Sequence, residues 1–122
     1  MTAQIIAQII SILLVLEQPV PRKGVYGDNG SAIGPLQIHV AVVQDVNRIY
    51  HTQYTWKSCV SLKVSKRVCL LYLSYWCDPK RLGFEPTMET YLRVWNGGAE
   101  GHKRVKATQP FIDKAKQKGL IR

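Results

Sequence analysis

The chain has 122 residues, 46% of them hydrophobic, an ordinary composition for one globular domain spanning 1–122, with no low-complexity tract, internal repeat or linker. Seventeen Lys and Arg against eight Asp and Glu give a formal charge of +9, which favours anionic partners such as nucleic acid, acidic membranes or bacterial walls, although a well-solvated surface has the same composition. The odd count of three cysteines, Cys59, Cys69 and Cys77, argues against a complete disulfide framework, and neither a CxxC pair nor zinc-ligand spacing is present. Reduced, partly buried thiols are expected, as in a reducing compartment; one bridge with a spare thiol is the alternative.

The segment from Ile5 to Leu16 is strongly apolar, with Gln8 and Ser11 as its only polar positions. No Lys or Arg precedes it, and Glu17-Gln18-Pro19 follows it in place of a small-residue cleavage site. It is also shorter than the roughly 20 residues that span a bilayer. A first helix is predicted from about Ala3 to Leu16, capped by Thr2 and stopped by Pro19 and Pro21. It is apolar nearly all round, hence central and buried. A membrane-anchored signal segment is the alternative.

Residues 18–36 hold four Gly and three Pro. They read as an irregular excursion with a short hairpin at Gly27-Asp28-Asn29-Gly30. A second helix is predicted over His39–Tyr50, with Val42, Val43, Val46 and Ile49 on one face. His51 to Leu62 has no clear period. A third helix is expected from Ser65 to about Cys77, with Val68, Leu71, Tyr72 and Tyr75 on one face and Asp78-Pro79 ending it. Thr87 caps a fourth through Tyr91 to Trp95, closed by Asn96-Gly97-Gly98. Thr108 caps the last, with Pro110 in its first turn and Gly119 after it. The fold class is therefore mainly α, or α+β with a tiny sheet: about five helices and one loop or hairpin excursion after the first.

Glu17 ends the most apolar helix. Partial desolvation there disfavours the charged carboxylate and raises its pKa, which suits a general acid. A solvent-facing Glu at a helix end is the plain alternative. Downstream lie Gly34-Pro35-Leu36-Gln37-Ile38 and Arg93-Val94-Trp95-Asn96-Gly97-Gly98. An apolar helix ending in Glu, then G-x-x-Q-I, then a helix ending in W-N-G-G resembles the goose-type lysozyme and soluble lytic transglycosylase superfamily, phage endolysins included. The blocks of that superfamily are a helix-terminal Glu, G-L-M-Q and A-Y-N-A-G. The resemblance spans residues 3 to 112, carried by about 25 positions.

The resemblance implies a lysozyme-like fold and cleavage of peptidoglycan between N-acetylmuramic acid and N-acetylglucosamine. Glu17 would protonate the glycosidic oxygen, and Asp28 would position or activate water. Gly34, Gln37 and Ile38 would line the sugar cleft, with Trp95 and Asn96 standing for the family's Tyr-Asn and Tyr91, one helical turn earlier, serving for the missing Tyr. Plain structural roles exist for each: turns at Gly30 and Gly34, a cap for the second helix at Gln37, an Asx turn at Asp28, core packing at Trp95, and a helix stop at Asn96-Gly97-Gly98. The departures are Gln18-Pro19-Val20-Pro21, where the family places Ser and a Gly-containing turn, and the absent Tyr.

No cofactor or metal is implied, and His39, His51 and His102 lack metal spacing. Lys103, Arg104 and Lys106 suit either acidic wall polymers or a solvated loop. The expected partner is the peptidoglycan strand, bound by a monomer made in the cytoplasm and acting at the wall, with neither nucleic acid nor stable membrane insertion expected. The rival readings are a non-catalytic wall-binding module of the same fold and a basic nucleic-acid-binding helical domain. The second rival leaves the G-x-x-Q-I and W-N-G-G blocks unexplained, and the basic residues are not gathered on one helix.

Overall fold

In the computed structural model, which describes residues 2–17, 26–27 and 30–122, six α-helices and one small sheet follow the chain order expected of a mainly α protein. Two compact units form: unit 1 takes Met1–Ile12 and Leu73–Arg122, and unit 2 takes Leu13–Tyr72.

Helix α1 runs Thr2–Leu16. Although its sequence is apolar nearly all round, only one stripe is buried: Ile6, Ile9, Ile10, Leu13 and Leu16. Ile5 and Val15 are exposed, so the expectation of a helix buried on every side does not hold. The buried positions follow the i, i+3, i+4 rule of a surface helix. Among the described residues no helix is long and apolar enough to cross a membrane.

In unit 2, β1 (Tyr26–Gly27), β2 (Ala32–Ile33) and β3 (Ile38–His39) pair antiparallel in sequence order. Ala32 pairs both Gly27 and His39, and Ile33 pairs Tyr26 and Ile38. The first two strands bracket the hairpin predicted at Gly27–Gly30. Helix α2 (Val40–Tyr50) follows with His39 at its N-cap, and it buries Val43 and Val46.

A 3-10 turn, Lys57–Val60, leads into α3 (Leu62–Trp76). Helix α3 starts three residues before the predicted Ser65, because Ser61 is the cap: its hydroxyl accepts the Val64 N–H at 3.3 Å. Ser65 is buried instead, and its hydroxyl donates to the Cys59 carbonyl. On the predicted face, Val68 and Tyr72 are buried, while Leu71 and Tyr75 are half-buried.

In unit 1, Asp78-Pro79 both ends α3 and starts a short α4 (Pro79–Leu82), with Pro79 in its first turn, where a missing N–H costs nothing. Helix α5 (Met88–Gly97) begins at Thr87, as expected, through a capping box with Thr90. Helix α6 (Val105–Gln117) starts earlier than predicted. Thr108 lies inside it, its hydroxyl donating back to the Arg104 carbonyl at 2.8 Å, and Pro110 falls in the helix interior. Gly119 sits past the end with φ +70°.

Candidate functional site

Glu17 is the residue after the last turn of α1. Its N–H still donates to the Leu13 carbonyl at 2.9 Å, so the helical hydrogen-bond pattern carries the residue into place, and it is half-buried. Asp28, with Gln18, Pro19, Val20 and Pro21, lies outside the described residues.

The Gly34–Gln37 segment is a tight turn joining β2 to β3. The Gln37 N–H closes it on the Gly34 carbonyl at 3.0 Å. The Gln37 side-chain amide donates to that same oxygen at 2.8 Å, so Gln37 does not cap α2. Gly34 has φ +78°, and a Cβ there would run into the Cys59 carbonyl, so both conformation and space require glycine. Gln37 also has a positive φ, +50°, which is costly for a side chain of its kind. Such outliers concentrate at functional sites. Pro35 and Leu36 form the middle of the turn, with Leu36 buried. Ile38 is buried on β3, so it supports the turn and presents no side chain to a ligand.

Sequence reasoning overlooked an aromatic pair in the same unit. The Trp56 indole N–H donates to the Ile38 carbonyl at 2.8 Å. Its ring lies 5.8 Å from that of Tyr26 at a 45° tilt. Tyr26 is 40% exposed and Trp56 half-buried, which leaves aromatic surface beside β3. The two residues are far apart in sequence, and no local pattern links them. A Trp in an aperiodic stretch was the single available signal.

In unit 1 the W-N-G-G block has a structural explanation. A Cβ on Gly97 would meet the Thr108 methyl at 2.7 Å, and a Cβ on the buried Gly101 would strike the Arg93 carbonyl. Arg93 holds α5 to α6. Its guanidinium donates to the Val105 carbonyl (3.0 Å), the Thr108 hydroxyl (2.9 Å), Gln109 Oε1 (2.8 Å) and Glu89 Oε1 (3.2 Å). Tyr91 is 2% exposed. Its pKa is raised by burial first, then by Cys77 and Glu85. A ring so enclosed serves the core and offers no face to a sugar, contrary to the expectation that Tyr91 contacts substrate. Trp95 is half-buried and Asn96 exposed.

A cavity of about 400 Å³ in unit 1 is lined by Thr87, Met88, Glu89, Leu120, Ile121 and Arg122, none of them a predicted site residue. Among the described residues no group of three or more His, Cys, Asp and Glu is arranged to hold a metal ion. No protein-family model, curated protein or solved structure matches the chain.

Proposed function

We propose that the chain is a peptidoglycan-cleaving glycosidase acting on the bond between N-acetylmuramic acid and N-acetylglucosamine, with Glu17 as general acid. The observation that carries this reading is the strained Gln37. It sits at the end of a Gly34–Gln37 turn, in the unit that also holds the half-buried helix-terminal Glu17. Gln37 keeps its Oε1 and one amide hydrogen for sugar hydroxyls. Tyr26 and Trp56 supply aromatic faces of the kind that sugar rings stack on.

Glu17 donates its proton to the bridging oxygen as positive charge develops on the sugar ring. Two ends follow. If Asp28 activates water from a second carboxylate roughly 6.5–9.5 Å away, the product is a hydrolysed, inverted sugar. Without such a carboxylate, the muramic acid 6-hydroxyl attacks and Glu17 acts as base, leaving a 1,6-anhydro end. The proposed site is confined to unit 2; Trp95 and Asn96 belong to unit 1. Action at the cell wall follows from the substrate, and the charge of +9 aids encounter with an anionic wall.

A glycan-binding module without catalysis is the second reading. It is favoured by the close approach of Gly97 to Thr108 and the positive φ of Gly98 at the end of α5, which account for both glycines of the W-N-G-G block without substrate. Incubating wild type and Glu17→Gln with purified peptidoglycan separates the two readings. Soluble muropeptides from wild type alone support the enzyme; retention on the wall with no product supports the module.

A further inference from the structure

The corner between the 3-10 turn Lys57–Val60 and the start of α3 is unusual in what it exposes. Val60 and Leu62 are each 47% exposed, and Lys57, Lys63, Lys66 and Arg67 around them are exposed as well. No Asp or Glu occurs from Val46 through Cys77. None of the four cations makes an ion pair with a described residue. The corner is also preformed. The Ser61 N–H donates to the Ser58 carbonyl at 3.1 Å, the Ser65 N–H to the Ser61 carbonyl at 2.9 Å, and the Ser65 hydroxyl to the Cys59 carbonyl. With Cys59 held inside, Val60 and Leu62 are turned outward and need no ordering on contact.

We propose that this corner is a docking surface for an anionic lipid bilayer. Val60 and Leu62 enter the interface while Lys57, Lys63, Lys66 and Arg67 meet the headgroups. Charge complementarity favours an anionic partner, because a basic cluster is drawn to a negative leaflet. The apolar pair narrows the choice. Aliphatic side chains gain by leaving water for acyl chains. They offer no ring for stacking on nucleic-acid bases, and a soluble polyanion gives them nothing to bury against. The surface works independently of Glu17 chemistry, and contact is peripheral, with no spanning segment.

The test is co-sedimentation of the full chain with vesicles of phosphatidylcholine alone and of phosphatidylcholine mixed with phosphatidylglycerol. Binding is expected only with phosphatidylglycerol. Each lysine near the surface contributes about fivefold, so Lys63→Gln with Lys66→Gln weakens binding about 25-fold. Val60→Ser with Leu62→Ser weakens it about tenfold. Lys116→Gln with Lys118→Gln, which removes the same charge from outside the corner, weakens binding less than the Lys63 and Lys66 pair does. Circular dichroism confirms that each variant is folded. Three results overturn the proposal: equal binding to both vesicles, equal loss from the Lys116/Lys118 pair, or no loss from Val60→Ser with Leu62→Ser. The last would leave a charge-only contact, as a nucleic acid or wall polymer makes.

Discussion

Gln37 donates twice to one oxygen: its backbone N–H and its side-chain amide both reach the Gly34 carbonyl, at 3.0 and 2.8 Å. These bonds hold the residue at φ +50°, a conformation that would suit glycine better. Gln37→Gly relieves about 1 kcal/mol of backbone strain and loses a side-chain hydrogen bond of about the same worth. Stability should therefore change by less than about 1 kcal/mol in urea titrations, while release of muropeptides falls at least tenfold. Equal loss of stability and activity would reduce Gln37 to a turn residue.

Gly34 and Gly30 both have positive φ, yet differ in their surroundings. Gly34→Ala drives a Cβ into the Cys59 carbonyl, whereas Gly30→Ala meets open space. Gly34→Ala is expected to cost about 3 kcal/mol or more, and Gly30→Ala about 1 kcal/mol. Thermal unfolding of the two variants gives the comparison directly, and equal costs would contradict the close approach at Gly34.

Cys77 is 1% exposed, and burial pushes its thiol from 9.0 up to about 12. A raised folded-state value leaves stability intact below pH 9. Between pH 9 and 12 the unfolded thiol ionises while the folded one stays protonated. Stability then falls by about 1.4 kcal/mol per pH unit for this group. Cys77→Ala should flatten that alkaline limb in chemical denaturation at stepped pH. The native thiol should also resist alkylation at pH 8 until the chain unfolds. Rapid native labelling of Cys77 would contradict its burial.

The Arg93 side chain is only 11% exposed, and four acceptors on α5 and α6 depend on it. Arg93→Met is expected to destabilise by about 1–2 kcal/mol, because it removes four hydrogen bonds, three of them part-buried. Arg93→Lys recovers only part of this, since an ammonium lacks the planar fork. A melting temperature unchanged in Arg93→Met would show that packing alone joins the two helices.

The helical segments were legible wherever periodicity and a cap agreed. Thr87 announced α5, and the valines of α2 announced a buried face. Competing caps defeated the boundaries. Ser61 and Ser65 both offer a capping hydroxyl, and only the Cys59 carbonyl, reached by Ser65, shows which one folds inward. Thr108 looked like a cap but bonds back within α6, whose start at Val105 carries no capping side chain. On α1, composition suggested burial on all sides, whereas exposure depends on what packs against each face. At the candidate site, Glu17 and the Gly34–Gln37 turn could be read from local pattern. The Tyr26–Trp56 pair could not, since it depends on which strand edge lies beside the 3-10 turn.

The central claim is that Glu17 acts as the acid of a glycosidase. Wild type and Glu17→Gln should be incubated with purified peptidoglycan and the products weighed by mass spectrometry. Soluble muropeptides are expected from wild type alone, with a water-loss mass if 1,6-anhydro ends form. Products from Glu17→Gln at the wild-type rate, or no products from either protein on several wall types, would contradict it.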